Sequence, residues 1–468
     1  MPLTAHHQHS HDAAPSLSTI RSDVPGIVWP PLSGGMPASL LALMHQLEAT
    51  QWLTPAQLAA QQARQLAALI QHATVHSPAF RARMESASCQ AAQLCTAEGL
   101  RALPVLERRA VQSQQVPLRC GEVPAAHQPV HETSSSGSTG EPVSVARTAI
   151  NQLFWLAFTL REQLWHQRDF RQTLAVIRAS LPSAQPITQA DWGAPVSLYF
   201  ATGPAHAMLV STDVKVQLEW LLRIAPHYLL TYPSNLAALL DECEARRITL
   251  PGLRQIRTIG ENISPSLRQR TQAILRVDIA DTYSSQELGT LAIQCPVSGH
   301  YHTMAEGYIV EVIDEQGQPC APGEIGRVIV TDLHNFATPL IRYDTGDYAQ
   351  AAAPCRCGRG LPTLQRIVGR ERNMVRVNGS RRWPLFGFDQ FLEIAPIVQY
   401  QLLQHSADLI EVLLVCRETL SAGQQDRLST LICTSLGHPF RIQFTLFADR
   451  IPAPASGKFE EFICLIRP

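Results

Sequence analysis

The 468-residue chain is short of charge. Asp, Glu, Lys and Arg make up 16% of it, and 38 basic against 39 acidic side chains leave a net charge of −1, where globular proteins carry ~25% charged residues. A chain so balanced offers no whole-molecule field to nucleic acid or to an anionic membrane, and neither is expected as a partner. No apolar run approaches the ~18 residues that span a bilayer. The opening residues MPLTAHHQHSHDAAPS lack both the basic start and the apolar stretch of a secretory signal, so a cytoplasmic protein is expected. The eleven cysteines, odd in number and scattered, form no disulfide framework. Most read as buried thiols. A Walker loop, GxxxxGK[ST], is absent, and there are no internal repeats.

What remains is a chain with 45% hydrophobic residues, long enough for roughly three domain-sized units and a large core. Residues 1–33 are rich in His, Pro and Ser without apolar periodicity and read as a flexible tail. Its four histidines, His6, His7, His9 and His11, are either a loose metal binder or a solvated segment. From Pro37 the pattern turns helical. Thr54 is an N-cap before Pro55, Leu58, Leu66, Leu69, Ile70 and Ala73 share one face, and Ser77-Pro78 closes the segment. TLAVIR, VSLYF, YLLTY, IRTIG and VDIADTY then read as strands. NQLFWLAFTLREQLW, DVKVQLEWLLRI, SNLAALLDECEARR and SPSLRQRTQAI read as helices among them. This alternation predicts an α/β fold of layered sheets and helices. YIVEVID, GRVIVTDL and PLIRYDTGDYAQ form a late β-rich section. Past the charged RIVGRERN stretch, strands NMVRVNG, IVQYQLLQH, LIEVLLVC and RIQFTLFA with one helix predict a small α+β domain.

Six segments carry candidate chemistry. In Thr133–Pro142, TSSSGSTGEP, hydroxyls and glycines lie between two strand-like runs, and such a loop either cradles phosphate or is a surface linker. Gly260-Glu261 follows one strand and DTYSSQE, Asp281 to Glu287, the next. YDTGD ends a later strand at Asp347, and Gly369-Arg370 opens the charged stretch. Ser456-Gly-Lys458 lies ten residues from the C-terminus.

In this order the motifs resemble the adenylate-forming superfamily of acyl-CoA synthetases, adenylation domains and luciferases, and within it the phenylacetate–CoA ligase branch. LIQHATVHSPAFRARM, LRALPVLERRAVQ, PLIRYDTGD and CRCGR are similar to stretches of that branch, and the resemblance spans roughly residues 55–465. It implies an ATP-dependent ligase that converts a carboxylic acid to acyl-AMP and pyrophosphate, then passes the acyl group to a thiol, CoA or else a carrier-protein phosphopantetheine. An amine acceptor, or a non-catalytic nucleotide-binding relative, are the alternatives, and retention of Lys458 counts against the last. The implied division is a tail over 1–33, a nucleotide- and acid-binding domain over 34–369, a hinge at 370–372 and a mobile lid over 373–468. By resemblance, Ser136, Gly137, Ser138, Thr139 and Gly140 hold the β- and γ-phosphates, and Tyr283 with Asp281 and Thr282 lies at the adenine. Gly260 and Glu261 line the same pocket, Asp347 takes the ribose hydroxyls, and Arg370 fixes the nucleotide. Glu287 would hold Mg²⁺, a hard cation suited to carboxylate oxygen, and Lys458 would bridge carboxylate and α-phosphate. The branch contains dimers, which makes a homodimer an expected assembly.

Some positions depart from the family pattern. Glu141 stands where a basic residue often ends the phosphate loop, Ser284 and Gln286 replace Gly and Thr, Arg372 replaces Asp or Lys, and Glu461 replaces Arg. Cys295, His302, Cys355 and Cys357 form a C-x6-H…C-x-C set whose soft donors suit tetrahedral zinc. The resemblance implies a closed, structural site there, with His302 rather than His300 as the ligand. Phe154-Trp155 and Tyr232-Pro233 either wall an acyl pocket for an aryl or other planar acid, or are core packing.

Overall fold

The computed structural model describes residues 22, 25, 27, 30, 32–113, 116–134, 142–384, 390–391, 393–448, 450–452 and 459–466. The expected tail histidines, the phosphate-loop residues Ser136 to Glu141, and Lys458 lie outside the described residues.

Three helices lead the chain: α1 (Gly35–Thr50), α2 (Pro55–His76) and α3 (Pro78–Ser86). Helix α2 starts where its sequence directs. The Thr54 hydroxyl accepts the Gln57 amide, Gln57 reciprocates, and Pro55 fills the first turn. Ser77 ends α2 and caps α3. The short α4 (Arg108–Ser113) and the hairpin β1 (Val130–Ser134) and β2 (Ser144–Thr148) follow, then α5 (Ala149–Trp165). Helix α5 is buried almost all round from Leu156 to Trp165, and its buried charges are paired, Arg161 with Glu306 and Glu162 with Arg168.

Next come β3 (Leu174–Arg178), β4 (Ile187–Gln189), β5 (Ala205–Leu209), α6 (Val214–Ile224), β6 (Tyr228–Thr231), α7 (Pro233–Arg246), β7 (Gln255–Ile259), α8 (Pro265–Leu275) and β8 (Asp278–Ser285). Strands β9 (Gly289–Gln294), β10 (Tyr301–Thr303), β11 (Tyr308–Ile313), β12 (Ile325–Asp332), β13 (Tyr343–Ala351) and β14 (Thr363–Arg370) complete one twelve-stranded sheet, ordered β11-β12-β13-β14-β10-β9-β8-β7-β6-β3-β5-β4. Its β5-β3-β6-β7-β8 portion is parallel. The crossover helices α6, α7 and α8 cover that portion with a core of Leu218, Leu221, Leu236, Leu240 and Ile256. The remainder is antiparallel and packs against α5 through Phe158, Leu160, Leu291 and Tyr308.

Beyond β14 lie the hairpin β15 (Val375–Val377) and β16 (Ser380–Arg382), then β17 (Ile397–Ser406), β18 (Leu409–Cys416), α9 (Ala422–Leu436), β19 (Arg441–Phe447) and β20 (Phe462–Cys464). A four-stranded sheet, β19-β18-β17-β20, carries α9 over its own core of Leu402, Val412, Leu414, Leu428 and Ile432. This is the predicted small α+β unit.

One expected strand fails. VSLYF is a 3-10 turn over Val196–Leu198, and the sheet strand of this region is β5 instead. Proline precedes the run, and Gly203-Pro204 follows soon after, so it cannot extend into a ladder. Its aromatic side chains, Tyr199 and Phe200, serve the core without the sheet.

Candidate active site

Tyr283, Asp347 and Arg370 come from β8, β13 and β14, and they meet. The Tyr283 hydroxyl donates to Asp347 Oδ2 at 2.8 Å, and Arg370 Nε donates to Oδ1 at 3.1 Å. Asp347 and Arg370 are register partners across β13 and β14, and Tyr283 sits at a bulge next to Ser284 that bends the end of β8. Burial, followed by the Asp347 charge, pushes the Tyr283 phenol well above its ordinary pKa, so it is a neutral donor. For Arg370, burial works against the charge. Asp347, with Glu460 and Glu287, outweighs it and raises the guanidinium.

Glu287 is buried in the turn between β8 and β9, and Arg108 holds it, with Nη1 2.7 Å from Oε1. The same nitrogen donates to the Tyr343 hydroxyl at 3.1 Å. Arg108 is a site residue that sequence reading missed. Its segment, LERRAVQ, places two arginines side by side, and only the bridge between Leu106 and Tyr343 brings the first one to Glu287. Ser284 is half-buried and Gln286 is exposed, beside this turn.

Asp281 and Thr282 turn into the fold. The Asp281 carboxylate accepts from Thr258 Oγ1 at 2.7 Å and Tyr301 Oη at 2.6 Å, and burial raises its pKa despite both bonds. The Thr282 hydroxyl is buried with no hydrogen-bond partner among the described residues. Gly260 takes φ +77°, which turns the chain sharply out of β7. The Glu261 carboxylate accepts from Ser234 at the start of α7 and from the Phe459 amide. Gly369, at φ +143°, is hemmed by Asn262 and Asn373, each 3.0 Å from where a Cβ would stand. Arg372 pairs with Glu460 at 2.7 Å. Phe154 stacks on His334 with ring centroids 4.0 Å apart, and the Tyr232 hydroxyl accepts the Ala179 amide.

A second cluster lies on the β10–β14 side of the sheet. The ligating atoms of Cys295, His302, Cys355 and Cys357 lie within 4.8 Å of one another. Cys295 and Cys355 sulfurs are 3.8 Å apart, and His302 Nε2 is 3.2 Å from Cys357 Sγ. Two thiolates ~2.3 Å from a tetrahedral zinc stand about 3.8 Å apart, and an imidazole nitrogen and a thiolate about 3.6 Å, so the set fits that ion. The His302 Nδ1 is 3.1 Å from the Leu361 carbonyl, which fixes the tautomer that leaves Nε2 for a metal. Burial resists ionisation of Cys295, but His302 and nearby amides lower its pKa on balance.

The chain is thus a long mixed sheet with helices on it, followed by a separate four-stranded sheet, with a tyrosine, an aspartate and an arginine clustered from three strands of the long sheet. Residues 43–337 match the AMP-binding enzyme family, and the chain belongs to it. It is similar to the phenylacetate-coenzyme A ligase of Thermus thermophilus, 33% identical over 85 residues, which cover 18% of this chain and 19% of that one. To the phenylacetate-coenzyme A ligase of Pseudomonas putida it is 26% identical over 189 residues, 39% of this chain and 42% of that one. The chain thus matches less than half the length of these two curated relatives. Its fold is similar to that of 2-hydroxyisobutyryl-CoA ligase in the postadenylation state, with a TM-score of 0.69 and 19% identity over 88% of this chain and 90% of that one. The family resemblance read from the motif order and the α/β fold class are both borne out. Among the described residues, no helix is long and apolar enough to cross a membrane.

Proposed function

We propose that the chain is an AMP-forming acid–thiol ligase. A carboxylate oxygen attacks the α-phosphorus of ATP, the bond to pyrophosphate breaks, and a thiol then takes the acyl group and releases AMP. The observation that carries this reading is the meeting of Tyr283, Asp347 and Arg370, 64 and 23 residues apart in sequence, from three interior strands of the sheet. A carboxylate positioned by a guanidinium accepts two vicinal hydroxyls, as a ribose presents them. The neutral phenol beside it offers a face on which adenine stacks.

In this reading Ser136–Gly140 hold the terminal phosphates, with Gly260 and the main chain of Glu261 at the adenine. Asp281 and Thr282 support the strand behind it. Glu287 and the triphosphate would hold Mg²⁺, which supplies positive charge where negative charge gathers. The buried carboxylate fits a hard cation, and Arg108 holds it in place at 2.7 Å. Lys458 supplies the cation that neutralises charge shared between acid and α-phosphate. The division into a domain over 34–369, a hinge at 370–372 and a lid over 373–468 follows, supported by the separate core of the C-terminal sheet. CoA is the thiol that the ligases similar to this chain suggest. The half-buried Phe154 and Trp155 favour an aryl acid. Cys295, His302, Cys355 and Cys357 hold a structural zinc, which would brace the β9–β10 turn against the 355–357 turn without entering the chemistry.

ATP–pyrophosphate exchange over a panel of aryl and alkyl acids tests the reading. Exchange with one acid class supports it. Measurable ATP binding with no exchange for any acid refutes it.

A further inference from the structure

We propose that Glu261 is a positioning residue that ties the segment following Lys458 to the nucleotide side of the large sheet, an inference that rests on the adenylation reading. Three donors converge on one carboxylate. The Ser234 amide donates to Oε2 at 2.8 Å, and the Ser234 hydroxyl and the Phe459 amide donate to Oε1 at 3.0 and 3.2 Å. The first two explain why the third can act. Helix α7 has no side-chain cap of its own at Tyr232, so Glu261 reaches over from the end of β7 to satisfy an amide of its first turn. An anion is favoured there by the aligned peptide dipoles. The carboxylate is thereby fixed before the C-terminal segment meets it.

Phe459 directly follows Lys458 in the chain. The stretch after it is fastened to the small sheet: Arg372 pairs with Glu460 at 2.7 Å, the Gln401 amide donates to the Glu460 carbonyl at 2.8 Å, and β20 pairs with β17. Glu261 grips the same stretch from the other side, through a main-chain amide that any residue but proline supplies. The contact forms in the arrangement seen here and breaks when the lid rotates. It therefore serves the adenylation half-reaction and is idle in thioester formation.

Two variants separate this role from helix capping. Glu261→Ala removes both functions. Glu261→Gln keeps a carbonyl oxygen for Ser234 Oγ and Phe459 N but turns an amide donor toward the Ser234 amide, so the cap is lost and the tether kept. In ATP–pyrophosphate exchange, E261A is expected to lower kcat about 10- to 100-fold, the worth of one charge-assisted hydrogen bond, with KM for ATP within about twofold. Its thioester formation from supplied acyl-AMP falls by a much smaller factor than its exchange. E261Q melts as early as E261A yet retains exchange within about threefold of wild type. Equal exchange losses in E261Q and E261A would leave only capping and overturn the tether. A raised KM for ATP with unchanged kcat would also overturn it, pointing to an adenine contact instead. Wild-type protein without exchange for any acid sinks the adenylation reading and the tether together, whereas wild-type exchange with an unaffected E261A sinks the tether alone.

Discussion

Replacing Asp347 by asparagine isolates the ribose contact on which the nucleotide reading turns. The wild-type carboxylate accepts from Tyr283 at 2.8 Å and Arg370 at 3.1 Å. An asparagine can keep its oxygen on Arg370 and turn its amide to Tyr283, whose hydroxyl accepts as readily as it donates. The fold is therefore kept at a cost of about 1 kcal/mol. The ligand suffers more. Two ribose hydroxyls that met a carboxylate now meet a neutral amide, and each charge-assisted bond loses about 1 kcal/mol. Roughly 2 kcal/mol in all is about a 30-fold fall in kcat/KM for ATP. The assay is pyrophosphate exchange with ATP and with 2′-deoxy-ATP. Wild type should prefer ATP by about 5- to 10-fold, and D347N should show almost no preference, because the group that reads the missing hydroxyl has been blunted. If D347N discriminates between the two nucleotides as well as wild type does, Asp347 does not bind ribose.

Three further outcomes are expected. Lys458→Ala should lower adenylation by at least about 100-fold while leaving thioester formation from supplied acyl-AMP much less affected; equal loss in both steps would remove its proposed role. Cys357→Ser should take the metal content, measured by elemental analysis, from about one zinc per chain to near zero and lower the melting temperature by about 5 °C or more; an unchanged metal content would dismiss the site. Glu162 is fully buried, and although burial alone would raise its pKa, Arg168, which grips both its oxygens at 2.8 Å, and Arg257 hold it at about 2. A depressed folded-state pKa gives stability that is present above the ordinary value of 4.5 and lost as pH falls toward 2. Arg168→Met should thus cost about 3–5 kcal/mol at pH 7 and less at pH 3 in urea unfolding, and an equal cost at both pH values would contradict this account.

The sequence announced its helices and parallel strands where period and punctuation agreed. Thr54-Pro55 opens α2 and Ser264-Pro265 opens α8 through local hydrogen bonds that the next few residues decide. VSLYF misled because a short, mostly apolar run satisfies a strand and a buried turn alike, and only the flanking prolines tell them apart. In the site, Tyr283, Asp347 and Arg370 were legible because each sits in a recognisable motif, although YDTGD opens β13 rather than ending a strand, and the sheet brings the three together. Arg108 was not. Its partner Glu287 lies 179 residues away, and nothing local in LERRAVQ marks one arginine as buried and paired. The Glu261 carboxylate was read for the neighbourhood of its motif, while its actual partners, Ser234 and Phe459, come from other parts of the chain. The Cys295, His302, Cys355 and Cys357 set was legible as chemistry, and the pairing of β10 with β9 and β14 supplies the proximity that spacing alone left open.

Both acids assigned to the nucleotide in the proposed site already have counterions. Arg370 answers Asp347 and Arg108 answers Glu287. An arriving nucleotide with its cation thus trades partners with groups that are neutral in sum, rather than falling into a strong local potential. Capture should then depend only weakly on ionic strength, and the energy of recognition should emerge in slow departure more than in fast arrival.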